Sequence, residues 1–272
     1  MNYLKFDFDI ESIEQQEKLV ALLASHGFEG FEEDENVLSA FIAENDFNET
    51  DFFEVIELFE NISFKKTVIE NINWNKKWEE DFKPVLVDDF VGIRAWFHQP
   101  VKDVVHEIII TPKMSFGTGH HATTFLMIKQ MQFIDFTNTS VLDFGTGTGV
   151  LAILARQLGA RKVLAIDYDE WSITNALENI SQNNCTDIIV EQLDAVPFNK
   201  KFDIILANIN LNVITANLSS IVNASFAGAT ILFSGILKEN ESELREAIEA
   251  AGLKYISTLQ RADWIIITAK NS

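Results

Sequence analysis

Residues 3–10 alternate apolar with charged side chains, the period of a half-buried strand. From residue 12 to 25 the apolar positions Ile13, Leu19, Val20, Leu22 and Leu23 fall at helical spacing, and His26-Gly27 closes the helix. Short strands are expected at 28–33 and 37–43, with a turn at Glu35-Asn36. An acidic amphipathic helix over 49–61 and a strand over 64–71 follow. The order is βαββαβ, which predicts a small ferredoxin-like α+β domain over residues 1–70.

Residues 71–98 are expected to hold a linker and the start of a second domain. Within them NINWNKKWEEDFKP sets Trp74 and Trp78 among charges, and a strand is expected over 90–97. A further strand is expected over 106–111. From residue 122 the period switches back and forth: helices at 122–135, 150–158, 171–183, after Leu211 and at 239–251 alternate with strands at 140–144, 162–167, 188–192, 202–207 and 230–234. That alternation predicts an α/β domain over 99–272 built on a parallel sheet. The last two strands, 254–260 and 264–269, flank only Arg261-Ala262-Asp263. So short a connection permits a hairpin but no parallel crossover, so the sheet should be parallel with an antiparallel strand at the end.

Candidate chemistry begins at Val141-Leu142-Asp143-Phe144-Gly145-Thr146-Gly147-Thr148-Gly149, a glycine-rich turn between an apolar strand and a helix. Glycines let a ligand approach the backbone, and the helix N-terminus offers unpaired N–H groups. The spacing is GxGxG with an acid two residues ahead, whereas the dinucleotide fingerprint is GxGxxG. A carboxylate at Asp143 would repel a pyrophosphate and suit the ammonium and sulfonium of S-adenosylmethionine. Asp167 ends the next strand and can accept both hydroxyls of a ribose. It could instead cap the following helix, although Asp169 is better placed to do so. Asp194, after the third strand, is a partner for an adenine amino group or simply a turn residue.

Asp203-Ile204-Ile205-Leu206-Ala207-Asn208-Ile209-Asn210 brings an asparagine to the C-terminal edge of the sheet, where open α/β folds bind ligands. Enzymes that methylate nucleobase or glutamine nitrogens follow this position with Pro-Pro-aromatic; Ile209-Asn210-Leu211 stands here instead. A second glycine-rich loop, Phe116-Gly117-Thr118-Gly119-His120-His121-Ala122-Thr123-Thr124, precedes the domain's first helix. Its adjacent histidines read as polar caps at a helix entry, since no acid or cysteine stands beside them at metal-ligand spacing, and no metal is expected.

Taken with NWNKKWEEDFKP, DFGTGTG and ANIN, this loop resembles the PrmA family, which methylates ribosomal protein eleven of the large subunit. The resemblance runs from about Trp74 to the C-terminus. It implies a class I methyltransferase (Rossmann-like) seven-stranded sheet, with S-adenosylmethionine as cofactor. It also implies that Thr124, Gly145, Asp167 and Asn208 contact that cofactor, with Phe116 and its loop closing over the site, and that the acceptors are α-amino and lysine ε-amino groups. Gly147 and Asp143 of the glycine turn, and Asp194, complete the candidate binding set, and Asn208 is the candidate for orienting the amine.

Composition alters this picture mainly through charge. The 272 residues carry a formal net charge of −20. Residues 1–70 hold 18 acids against 4 bases, net −14, and residues 71–272 hold 23 against 17, net −6. An acidic first domain repels nucleic acid and attracts a basic partner, here a basic ribosomal protein. No apolar run reaches the roughly 18 residues of a membrane span, and MNYLKFDFDI is no signal peptide. A cytoplasmic monomer is expected. The single cysteine, Cys185, leaves no internal disulfide and reads as inert. Two other functions fit the same motifs: a methyltransferase acting on another protein, an RNA or a small molecule, and a cofactor-binding protein without turnover.

Overall fold

The structure is a computed structural model that describes all residues except 1, 11, 35–36, 60–61, 70–81 and 114–116. Trp74, Trp78 and Phe116 therefore lie outside the described residues. The chain forms two compact units, Met1–Asp81 and Phe82–Ser272.

In the first unit, strands β1 (Tyr3–Asp9), β2 (Gly30–Asp34), β3 (Val37–Ala43) and β4 (Phe64–Ile69) form an antiparallel sheet ordered β2-β3-β1-β4. Helices α1 (Ile13–Ser25) and α2 (Glu49–Ile56) follow β1 and β3. Alternation on β1 sends Leu4, Phe6 and Phe8 inward, where they meet Leu19 and Leu23 of α1 and Phe52 of α2. The core is aromatic: the Phe6 and Phe52 rings are 4.5 Å apart. On the outer face Asp7 pairs with Lys5 at 2.9 Å and accepts from Ser39 at 2.6 Å, and the Ser39 hydroxyl above all holds its carboxyl below the usual value. Helix α2 ends at residue 56 and not 61, because the N–H groups of Leu58 and Phe59 turn to carbonyls three residues back.

The second unit opens with a three-stranded sheet of β5 (Val85–Val87), β6 (Val91–Ala95) and β7 (His106–Ile110), in which β6 and β7 are parallel. The short β5 was not expected from the sequence. The main sheet follows, with β8 (Ser140–Phe144), β9 (Lys162–Asp167), β10 (Ile189–Gln192), β11 (Phe202–Asn208), β12 (Ser225–Leu237), β13 (Leu253–Arg261) and β14 (Trp264–Asn271), ordered β10-β9-β8-β11-β12-β14-β13. Helices α3 (Ala122–Met131), α4 (Val150–Gln157), α5 (Glu170–Gln182), α6 (Leu211–Asn223) and α7 (Glu241–Ala250) connect it.

Both faces of this sheet are covered, which is why its strands read as continuous apolar runs. Val141, Ile204, Leu232 and Ile266 join the core shared with α3 and α4. Their immediate neighbours Leu142, Ile205, Phe233 and Ile267 join the core shared with α6 and α7. The expected antiparallel strand is β14, the second half of the hairpin. It lies within the sheet, between β12 and β13, and not at its edge. Strand β12 is longer than the expected 230–234, since its first residues still pair with β11 across a register shift.

Candidate active site

From β8 the chain builds outward through β9 to β10, then returns to the other side of β8 with β11. A sheet that reverses direction of growth leaves a crevice at the C-terminal ends of the two strands flanking the switch. Those ends are Phe144 and Asn208, and a cavity of about 670 Å³ opens between them.

Its floor is the glycine turn. Gly145 and Gly149 have φ of 77° and 80°, conformations that favour glycine, and a Cβ on Gly145 would collide with the side chain of Ile209. Gly235 on β12 approaches the backbone of the same residue, where a Cβ would collide with the carbonyl oxygen of Ile209. Ile209 is therefore wedged between two glycines, and this wedge fixes Asn208 beside the glycine turn. Gly149 serves as the N-cap of α4 without a side-chain bond.

Asp167 is buried at the end of β9 and lines the cavity. Its Oδ2 accepts from the N–H of Gly147 at 2.9 Å and its Oδ1 from the N–H of Asp169 at 3.1 Å. An ionised carboxylate has about four acceptor positions, so these bonds orient it and leave capacity for a diol. The helix cap is Asp169, which accepts from Ser172 N–H at 2.9 Å, so capping is not the role of Asp167. Asp194 is exposed; like Gly145, Gly147 and Asn208, it lines the cavity.

Asp143 is placed differently. It is 1% exposed and is not among the residues lining the cavity. Its Oδ2 accepts from the Thr146 hydroxyl at 2.6 Å. Burial, opposed by the Thr146 hydroxyl and the Ala152 backbone N–H and reinforced by the nearby Asp167, pushes its pKa up to about 7. It acts from beneath the turn as a support.

Thr124, on α3, meets Asn208 in a small second void that also touches Gly117, Gly145 and Thr148. Asn208 Nδ2 donates to Thr124 Oγ1 at 3.4 Å, and Asn208 Oδ1 is buried without a partner. An unpaired buried carbonyl beside a cavity is costly unless a ligand satisfies it. His121 caps α3 by accepting from Thr123 N–H and stands edge-on to Trp264 with ring centroids 4.6 Å apart. Burial keeps the His121 imidazole below its usual pKa, so it lines the cavity in the neutral form at neutral pH.

Sequence reasoning did not nominate Tyr168, Trp264 or Gly235 for this cavity. Tyr168 directly follows Asp167 and could have been proposed from adjacency, but Trp264 and Gly235 arrive from strands far along the chain and carry no local signal.

A family model described as ribosomal protein L11 methyltransferase (PrmA) matches residues 7–272. The chain belongs to this family. A ribosomal protein L11 methyltransferase of Bacteroides fragilis is 36% identical, covering 98% of this chain and 99% of the relative. One from Porphyromonas gingivalis is 40% identical over 90% of this chain and 87% of its own. The crystal structure of a ribosomal protein L11 methylase from Lactobacillus delbrueckii subsp. bulgaricus aligns with a TM-score of 0.66 at 26% identity, covering 70% of this chain and all of that one.

The PrmA family uses S-adenosylmethionine, and the cavity suits it. Asp167, Asp169 and Asp194 give the lining a negative character, and no lysine or arginine is among its described lining residues. That lining favours a cofactor with an ammonium and a sulfonium over one with a pyrophosphate. Within it Asp167 would hold the ribose hydroxyls, while Gly145 and Gly147 allow close approach to the backbone.

Proposed function

We propose that the protein methylates α-amino and lysine ε-amino groups of ribosomal protein L11, that Asn208 orients the accepting nitrogen, and that the first unit recognises the substrate. The reading is carried by the unpartnered carbonyl of Asn208 at the switch point, fixed by Thr124 on one side and by the Ile209 wedge on the other.

The bound cofactor supplies an electrophilic methyl on a sulfonium. The protein's part is alignment, which can account for much of the barrier reduction in a two-reactant displacement. Asn208 Oδ1 accepts from the amine N–H and so turns the nitrogen lone pair away from itself. The amine must be neutral to react: with a lysine reference value of about 10.4, roughly one in a thousand is neutral at pH 7.4, a cost of about 4 kcal/mol. His121 is neutral but already accepts at Nδ1 from the start of α3, so water is assigned the proton. Transfer should therefore accelerate with pH below the amine pKa.

Among the described residues no helix is long and apolar enough to cross a membrane. We place the enzyme in the cytoplasm, where ribosomal proteins are made, with the net −14 of residues 1–70 drawing in a basic protein and disfavouring direct contact with RNA.

The test is to incubate the full chain with S-adenosylmethionine and ribosomal protein L11 and to map the modified peptides by mass spectrometry. Methyl groups on the N-terminal amine and on lysines are expected. A chain that binds the cofactor yet leaves L11 unmodified would be a binding protein without turnover, and methylation confined to other residue types would remove the amine specificity.

A further inference from the structure

Away from the large cavity, α5 carries a row of buried asparagines. Asn175 and Asn179 are fully buried, and Asn183 follows four residues on, so all three share one face. That face acts towards β7 and the residue after it as a neighbouring strand would. Asn183 bonds both backbone groups of Ile109, at 2.9 and 2.6 Å. Asn179 accepts from the N–H of Thr111 at 2.7 Å, and Asn175 donates to the Thr111 carbonyl at 3.1 Å.

Thr111 lies just ahead of the glycine-rich loop that leads to α3. Gly117, within that loop, is tied as well: Thr148 of the cofactor turn donates its hydroxyl to the Gly117 carbonyl at 2.8 Å. The approach is close, with φ of 105° at Gly117 and a Cβ there only 2.8 Å from that hydroxyl. Asn179 joins the two ties, because its amide also donates to the carbonyl of Thr148 at 2.8 Å. Thr111, Asn179, Thr148 and Gly117 thus form one continuous hydrogen-bonded chain between the two glycine loops.

Thr148 is buried and is not among the residues lining the large cavity. It does border the small void where Thr124 and Asn208 meet. We propose that Thr148, braced by Asn179, is a positioning residue for methyl transfer: its hydroxyl fixes the glycine-rich loop ahead of α3 to the cofactor turn, so that Thr124 and Asn208 keep one register with the bound methyl donor. The proposal rests on the methyltransferase reading of the cavity but not on which amines are modified.

Thr148→Val removes the hydroxyl and nearly keeps the shape; Thr148→Ser keeps the hydroxyl. Each full-length variant is compared with the wild type for S-adenosylmethionine affinity by calorimetry and for kcat on ribosomal protein L11 at saturating cofactor. For Thr148→Val, kcat should fall about 10- to 100-fold, the effect of misplacing reacting groups by about an ångström, with cofactor Kd changed less than about threefold. Thr148→Ser should recover most of the lost kcat. A purely structural hydrogen bond would lower the melting temperature and leave kcat below that temperature unchanged, which would overturn the proposal. So would a loss of cofactor affinity as large as the loss of turnover. Should the valine variant fail to fold, Thr148→Ala removes the same hydroxyl without the branched side chain and is judged by the same outcomes. A wild-type chain inactive on L11 would instead fail the functional reading itself.

Discussion

The two units use polar side chains in opposite ways. In the first, the buried core is almost wholly apolar, with phenylalanines at its centre, and the charge lies outside it. In the second, threonine, aspartate and asparagine are buried together at one end of the sheet: Thr124, Asp143, Asp167, Asn179 and Asn208 are each 8% exposed or less. Charges in water act over a distance, weakly and without fixed geometry, and salt screens them within about 8 Å at 0.15 M. Polar groups in a low-dielectric interior act only where they are placed, and there more strongly. The first arrangement suits the capture of a partner; the second suits the alignment of a reaction.

Removal of the first unit should have the largest effect. Deleting residues 1–70, with folding confirmed by circular dichroism, should spare S-adenosylmethionine binding and lower kcat/KM on ribosomal protein L11 by roughly 10- to 1,000-fold, the range of electrostatic steering. Wild-type kcat/KM should also decline with added salt. A truncated enzyme that retains full efficiency would take recognition away from this unit.

Next in size are two substitutions within the second unit that separate binding from turnover. Asp167→Ala loses charge-assisted bonds worth about 1.5–3 kcal/mol and should weaken cofactor affinity about 10- to 150-fold by calorimetric titration. Asn208→Ala should lower kcat by roughly 10- to 100-fold and disturb cofactor affinity less, since the lost contact aligns the amine. Equal effects of both variants on affinity and turnover would erase the division of labour between these neighbours.

The smallest effect on chemistry is expected at Asp143, where the sign is instructive. Its folded-state pKa is about 7, against an ordinary 3.8, so between those values the folded protein holds a proton that the unfolded chain has released. Stability from this group is therefore lost as pH rises through that window, by an amount on the order of a few kcal/mol. Thermal melts at pH 5 and pH 8 should show a larger fall in Tm for the wild type than for Asp143→Asn. Identical pH dependence in both would mean that the carboxyl is ionised throughout.

Much of this site was legible because it rests on local signals. The turn after β8, the acid ending β9 and the asparagine ending β11 each follow an apolar run that marks its own end. Asp143 shows where such reading stops: proximity to the glycines suggested a carboxylate facing the ligand, whereas burial depends on what α4 and β9 place above it. Asn175 and Asn179 were hidden for a similar reason. In a linear pattern they look like the solvent face of an amphipathic helix, and only the placement of β7 against α5 turns them inward. Gly235 and Trp264 reach the cavity through pairing of β11, β12 and β14, contacts between residues distant in sequence. Strand β5, three residues long, was too short to show a period.

The insertion of β14 between β12 and β13 also bears on how the molecule comes into being. Among the described strands, β13 pairs only with β14, which follows it in the chain. During synthesis β12 therefore waits with an unclaimed edge while α7 and β13 emerge, and the sheet is completed only when a later segment threads between two earlier ones. An open edge of that kind invites pairing with other nascent chains. The product of translation is exposed to misassembly until its final strand is delivered, and chains interrupted after β13 should be prominent among those that aggregate or are degraded.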